Sequence, residues 1–497
     1  MLFPAFYDPS DKPAIRFPER TLTYRALRDA AAAVAARVEG AERVAVWALP
    51  VPETCVGVIG ALIAGVPVVP INPKAGEREL AHIVSDSSPA LLLAAPGAEL
   101  PEGLTAVPRA EVELVARGAE LPPEADEEAP AIVAYTSGTT GPPKGAVLPR
   151  RAIASNLDAL ASAWEWTEED VVAHALPLFH VHGLILGILG PVRHGGTARH
   201  LGRFSSEAVA AAFDDDATML FAVPTMYHRL GHDAADDRRV AEGLARARLL
   251  VSGSAALPAV EHAQIERLTG QQVVERYGMT ETLMNTSIRA SGERRAGYVG
   301  PPLEGIDLRL VDDDGNTVEA SDDETIGEIA VRGPNLFLEY LNRPDATAEA
   351  VRDGWFHTGD LATRAPDGYV RIVGRRATDL IKSGGFKIGA GEVEGALLEH
   401  EAVAEVAVTG EPDPDLGERI VAWVVAAQGA SPEPKELSDH VSRLLSPHKR
   451  PRTIRFLDEL PRNPMGKVMK ARLVERAQAR GSGGPADEGP REGARRR

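Results

Sequence analysis

The chain has 497 residues, 44% of them apolar and 25% charged, with a formal net charge of −18. That length exceeds one ordinary core and predicts two to four packed units of a soluble globular protein, while the acidic balance excludes nucleic acid as the main partner. The single cysteine, Cys55, excludes intrachain disulfides and multi-cysteine zinc sites and predicts a reducing, cytoplasmic location.

Helices and short apolar strands alternate from residue 22 to residue 71. Thr23-Tyr24-Arg25-Ala26-Leu27 opens an alanine-rich helix, 43–47 reads as a strand and 53–64 as a helix. Residues 66–71 are extended, but Pro67 and Pro70 each remove a ladder donor, which predicts an edge or irregular strand. The same prolines interrupt the most apolar run, 55–71, which is short for a membrane span, and no basic region followed by an apolar core opens the chain. No membrane partner is therefore expected. Next, the apolar run 131–135 reads as a short buried strand. It breaks into Tyr135-Thr136-Ser137-Gly138-Thr139-Thr140-Gly141-Pro142-Pro143-Lys144-Gly145. Glycines let backbone N–H groups form an anion-binding concavity, the hydroxyls add donors and Lys144 adds a full charge, an inventory suited to a polyphosphate. It is not the nucleotide P-loop pattern, because Gly145 rather than Ser or Thr follows the lysine.

The alternation resumes with a helix at 155–166, a strand at 171–176, a helix at 206–213 and a strand at 219–223. It argues for a parallel sheet covered on both faces. Between 327 and 373 the spacing tightens into short strands with Gly and Asp turns, predicting a small antiparallel or barrel-like element. After Gly374, a helix at 393–398, strands at 403–409 and 420–426 and a helix at 434–445 predict a compact α+β unit. Residues 481–497 are Gly-, Pro- and charge-rich and read as a disordered tail. The expected class is thus α/β: a large domain over 1–376 of parallel-rich αβ sheets plus the barrel-like element, a small mobile α+β domain over 377–480, and the tail.

Three further stretches carry chemistry. In Glu275-Arg276-Tyr277-Gly278-Met279-Thr280-Glu281, an aromatic beside glycine suits stacking on a purine, Thr280 offers a hydroxyl to a phosphate, and Glu281 is a hard oxygen ligand for Mg²⁺. Just upstream, Ser252-Gly253-Ser254-Ala255 follows the strand 248–251. Trp355-Phe356-His357-Thr358-Gly359-Asp360 places a carboxylate on a tight turn, where it can accept both hydroxyls of a ribose. Pro461-Arg462-Asn463-Pro464-Met465-Gly466-Lys467 holds a lysine on a Pro/Gly-framed loop.

Residues 136–145 resemble the phosphate-loop signature of the adenylate-forming superfamily, which comprises acyl-CoA synthetases, peptide-synthetase adenylation domains and luciferases. Residues 275–281 resemble its adenine-and-magnesium motif. The resemblance implies the adenylate-forming enzyme fold, ATP and CoA as co-substrates and Mg²⁺ as cofactor. It implies that a carboxylate first attacks the α-phosphorus of ATP, and that CoA thiol then attacks the adenylate and releases AMP. It assigns Thr136, Ser137, Gly138, Thr139, Thr140, Gly141, Lys144, Ser254, Ala255, Glu275, Arg276, Tyr277, Gly278, Met279 and Thr280 to the nucleotide, and Glu281 to the metal. Asp360 is implied for the ribose with Arg375 or Arg376 as companion. One extra residue lies between Gly374 and Asp379-Leu380-Ile381-Lys382, so both arginines stay open, and by the same count the hinge is Thr378. Lys467 is implied to bridge the acyl carboxylate and the α-phosphate, where a positive donor meets the developing charge. Thr280, Glu281 and His180 complete the catalytic set. Lys382, Ser383, Gly384 and Gly385 are implied to line the channel for the CoA arm. The basic Lys449-Arg450 is a candidate for the CoA phosphates.

Phe179-His180-Val181-His182-Gly183-Leu184, Glu281-Thr282-Leu283-Met284-Asn285-Thr286-Ser287 and Ser252-Gly253-Ser254-Ala255 are similar to the malonyl-CoA and methylmalonyl-CoA synthetases. A small dicarboxylic acid needs a second cationic contact in its pocket, because a buried unpaired carboxylate is costly. The candidates are His180 with Arg294 or Arg229, beside Ser252, and Val181 and Met284 are apolar neighbours that limit the group on the middle carbon. The same motifs suit a CoA ligase for another short or aromatic acid, or a carrier-loading adenylation enzyme. Oligomeric state stays open, a homo-oligomer included.

Overall fold

The computed structural model describes residues 1–115, 120–136, 142–376, 379–384, 386–462 and 468–481. The chain forms two compact units, residues 1–358 with 362–372, and residues 359–361 with 373 onward.

In the first unit the strand–helix alternation builds two mainly parallel sheets. One has seven strands in the order Glu339–Tyr340, Lys144–Pro149, Pro130–Thr136, Val68–Ile71, Val44–Trp47, Leu91–Ala94 and Arg109–Glu111. It is parallel from Pro130–Thr136 onward and antiparallel at its first two strands. The other has eight, in the order Leu283–Ser287, Val273–Met279, Leu249–Ser252, Met219–Ala222, Val171–His174, Thr197–His200, Pro13–Phe17 and Arg20–Thr23. Only its two end pairs are antiparallel. Strands such as Val44–Trp47 and Met219–Ala222 are buried at every position, as parallel strands covered on both faces must be. The helix Tyr24–Val38 starts where Thr23 Oγ1 accepts Ala26 N–H at 3.2 Å, a normal N-cap. It lies so close to the helix Pro52–Ile63 that a Cβ on Gly60 would stand 2.7 Å from Ala31 O.

One expectation is corrected. Val68–Ile71 is internal to its sheet, between Pro130–Thr136 and Val44–Trp47. Val44 N–H donates to Pro67 O and Ala48 N–H to Ile71 O, so the odd residues face Val44–Trp47. Pro70 then faces Pro130–Thr136, a partner met only at Val68–Ile132. Pro70 makes the strand irregular on that one side without moving it to the edge.

The tightly spaced strands beyond residue 300 form the expected small sheet: Asp307–Val311, Gly327–Arg332, Trp355–Arg364 and Val351–Arg352, with Val370–Arg375 added to Trp355–Arg364. The second unit is α+β. Phe386–Gly389, Leu380–Ser383, Gly417–Ala426 and Val403–Asp413 form a sheet that Thr453–Phe456 joins in parallel. Its apolar core takes Val393 and Leu397 from the helix Ala390–Leu398 and Leu437 and Val441 from the helix Pro434–Leu444. Residues 482–497, most of the expected tail, lie outside the described residues. Among the described residues, no helix is long and apolar enough to cross a membrane.

Candidate active site

The strands on either side of the candidate polyphosphate stretch pair with each other. Thr136 and Lys144 face each other across the antiparallel pair Pro130–Thr136 and Lys144–Pro149, and Thr136 Oγ1 donates to Lys144 O at 3.3 Å. Ser137, Gly138, Thr139, Thr140 and Gly141 lie outside the described residues. Lys144 Nζ stands 4.4 Å from the ring centroid of Tyr340. The Tyr340 hydroxyl donates to Glu281 Oε1 at 2.7 Å, and Phe337 N–H donates to Glu281 O at 2.8 Å. Lys144, the candidate for phosphate, and Glu281, the candidate for the metal, therefore meet on one tyrosine. Sequence reasoning missed Tyr340, because the strand Glu339–Tyr340 is too short to show a period. Glu281 is buried and oriented. A single such carboxylate fits Mg²⁺, which is commonly held by one or two carboxylates plus substrate phosphates.

The strand Val273–Met279 carries the second motif, and its alternation sorts the motif into two faces. Its register shifts between Tyr277 and Gly278, where a Cβ on Gly278 would lie 2.0 Å from Leu283 O. Only glycine fits there, and the kink leads into Thr280 and Glu281. Glu275 accepts from Leu257 N–H at 3.0 Å and Gly297 N–H at 3.3 Å, and pairs with His262 Nε2 at 2.9 Å. It braces the loop that holds Ser254, at φ 75°, and Ala255.

Arg276 is only 5% exposed, and its Nε and Nη2 find no hydrogen-bond partner among the described residues. Burial lowers its pKa to about 10, so it remains charged at neutral pH. Gly253 lies directly on it, since a Cβ there would stand 2.3 Å from the guanidinium carbon. His182 is buried with both ring nitrogens unpartnered among the described residues, as are His180 Nε2 and Ser252 Oγ. His182 opens a wide-turned π-helix, His182–Leu189, a form that is rare and often functional. A Cβ on Gly183 would come 2.2 Å from Pro177 O, which fixes this segment against the strand end. Burial holds the His180 pKa at about 4 and that of His182 well below its usual value, the Arg276 charge adding to the second. One fixed cation and two neutral imidazoles thus stand together, a donor set that lacks an anion, whereas Ser252 is in register with Glu275 on the other face of the sheet.

Neither expected arginine is part of this set. Arg294 donates to Gln272 O at 2.6 Å and Ala290 O at 3.2 Å, and Arg229 is exposed with its guanidinium 5.7 Å from the Phe204 ring. Met284 is buried, with Asn156 bonded to its N–H at 3.1 Å and its C=O at 2.7 Å. Val181 is half-buried.

Four buried histidines, His174, His180, His182 and His200, have lowered pKa values, chiefly through burial. The unfolded chain binds protons at these sites below about pH 6.5, whereas folded His200 binds one only near pH 4. The stability they confer is therefore present above pH 6.5 and lost as pH falls toward 4. Denaturant melts are expected to show about 2 kcal/mol lost at pH 5 for His200 alone, and a His200→Phe variant to flatten that slope.

In the second unit, Asp360 pairs with Arg375 Nε at 3.1 Å, while Arg376 N–H donates to Gly359 O at 2.8 Å. Of the two open candidates, Arg375 is the one beside the carboxylate. Asp379 N–H donates to Arg375 O at 2.7 Å and Arg375 N–H to Asp379 Oδ2 at 2.9 Å. Asp379 Oδ1 and Glu394 each hold the Lys470 ammonium at 2.7 Å. The hinge candidate Thr378 lies outside the described residues, as do Gly385 and Lys467. Lys382 is exposed, Ser383 is buried opposite Gly417, and Gly384 turns at φ 59°. Lys449 is ion-paired with Glu392, and Arg450 is half-exposed. Arg462 and Val468 form an antiparallel bridge.

The AMP-binding enzyme family model matches residues 5–341, and the AMP-binding enzyme C-terminal domain matches residues 392–467. A malonate–CoA ligase of Arabidopsis thaliana is 36% identical over 475 residues, spanning 87% of this chain and 77% of that protein. Among solved structures, a malonyl-CoA ligase ternary product complex with methylmalonyl-CoA and AMP bound is 63% identical, with a TM-score of 0.73 over 93% of this chain and 100% of that one. ATP-bound MatB from Rhodopseudomonas palustris is 33% identical, with a TM-score of 0.86 over 96% and 98%.

Proposed function

We propose, from the premise that this chain belongs to the AMP-binding enzyme family and is an AMP-forming acid–CoA ligase, that its acid is a small dicarboxylate, malonate or methylmalonate. The observation that carries this is Arg276. Its charge is buried beside His182 with two of its nitrogens unpartnered among the described residues. A monocarboxylate would leave that charge buried without an anion, whereas the distal carboxylate of a dicarboxylate pairs with it. His180 and His182 supply neutral donors to the same group. Val181 and Met284 bound the middle carbon. The names of the relatives, a malonate–CoA ligase and a methylmalonyl-CoA complex, support this acid.

In the first step the reacting carboxylate attacks the α-phosphorus of ATP, a C–O–P anhydride forms and pyrophosphate leaves. Tyr277 stacks on the purine, and Asp360 with Arg375 takes the ribose. Thr136, Ser137, Thr139, Lys144 and Thr280 hold phosphate oxygens, and Lys467 meets the charge that develops between carboxylate and phosphate. Mg²⁺, when bound, neutralises phosphate oxygens, and Glu281 would hold it. In the second step the CoA thiol, losing its proton to solvent, attacks the acyl carbon, a thioester forms and AMP leaves. Gly384 and Gly385 give the CoA arm room. The lone cysteine, Cys55, is buried and reduced, which suits work in the cytoplasm.

AMP release with malonate, methylmalonate, acetate and benzoate at equal concentration tests the acid. AMP only with the two dicarboxylates is expected. Preference for acetate or benzoate would discard the acid while keeping the two-step ligase.

A further inference from the structure

The helix Glu77–Ser87 has no role in the chemistry above, yet two of its side chains grip both ends of the phosphate hairpin. His82 and Asp86 are four residues apart and project from one face. The Asp86 side chain, 9% exposed, accepts the Tyr135 hydroxyl through Oδ2 at 2.9 Å. Tyr135 immediately precedes Thr136, where the strand enters the loop. His82 Nε2 lies 2.8 Å from Pro143 O. A carbonyl only accepts, so the imidazole donates from Nε2. Pro143 immediately precedes Lys144, where the chain leaves the loop.

The same face reaches the metal side. Asn342 Nδ2 donates to Asp86 O at 2.8 Å and to Oδ1 at 3.4 Å, and Arg343 Nη1 stands 3.9 Å from Oδ1. Leu341 N–H donates to Gly145 O at 2.7 Å. These contacts fix the chain immediately after Tyr340, whose ring carries Lys144 and whose hydroxyl orients Glu281. We propose that His82 and Asp86 are positioning residues for the nucleotide phosphates. They set the two ends of the loop against each other and against Tyr340, so that Lys144 and Glu281 stand ready before ATP arrives. The inference rests on the ligase reading only in taking ATP as the ligand.

Leu80 and Ile83 are buried in an apolar cluster with Leu92 and Leu104, so the helix does not need His82 to stay docked. MgATP binding by calorimetry without acid, together with thermal melts, tests the proposal on His82→Leu, His82→Gln and Asp86→Ala. His82→Leu is expected to weaken ATP binding about tenfold, as loss of one placed hydrogen bond allows, with its melting temperature within a few degrees of wild type. His82→Gln, which keeps a donor, restores binding to within about threefold, and Asp86→Ala, which releases Tyr135 while the backbone carbonyl of residue 86 keeps Asn342, weakens it at least as much as His82→Leu. Unchanged ATP affinity in His82→Leu, or equal loss in His82→Leu and His82→Gln, would overturn the proposal. No AMP from wild type with any acid, alongside weakened ATP binding in His82→Leu, would sink the acid assignment and leave these two roles standing.

Discussion

Arg276→Met is expected to lower kcat/KM for malonate by about 100- to 1,000-fold, read as AMP release at saturating ATP and CoA. Breaking a buried ion pair by removing one partner costs about 3–5 kcal/mol, and here the partner left behind is the substrate's distal carboxylate. Stability is expected to move the other way. In the free protein the Arg276 charge is buried with unpartnered nitrogens among the described residues, so an apolar side chain of similar reach raises the melting temperature. A short monocarboxylate such as propionate, poor with wild type, becomes the better acid in the variant. Undiminished malonate turnover in a folded Arg276→Met protein would show that the acid does not meet this arginine.

The second large effect is expected at Lys467. Lys467→Ala should slow adenylation about 100- to 1,000-fold, the scale of removing one donor aimed at developing charge. Consumption of preformed acyl-adenylate by CoA should change by no more than about threefold, because the meeting of carboxylate and phosphate charges that Lys467 relieves belongs to the first step alone. The base of the loop is well anchored for such a role. Arg462 and Val468 form a bridge, Met469 N–H donates to Pro461 O at 2.7 Å, and Lys470 is held by Asp379 and Glu394. Equal slowing of both half-reactions would mean that Lys467 acts on the fold of the loop and not on the attack.

Much of this was legible in the sequence where local chemistry decides the outcome. The alternation of apolar strands with helices gave the parallel sheets, because burial on both faces demands continuous apolar runs. The candidate phosphate stretch stood out because its mix of glycine, hydroxyls and lysine follows a strand directly. Pro67 and Pro70 misled because a missing donor matters only on the side it faces, and sequence does not say which side that is. Arg276 was hidden inside a motif taken whole for the nucleotide. A period-two reading of Glu275, Arg276 and Tyr277 separates Arg276 from its neighbours and turns it toward His182. Arg294 looked suitable by its surroundings in the chain, but the carbonyls of Gln272 and Ala290 capture it. The choice between Arg375 and Arg376, like the part played by Tyr340, depends on long-range contact and needed coordinates.

Residues 359–361 group with the second unit although the strand that contains them, Trp355–Arg364, begins in the first. That has a consequence for inheritance. Exchange of carboxy-terminal halves between related ligases, with the crossover at residue 372, joins one parent's Asp360 to the other parent's Arg375. The two have then never been selected together. A crossover upstream of Trp355 passes the carboxylate and its arginine on as one heritable piece, so recombinants cut there keep a matched ion pair while those cut at 372 do not.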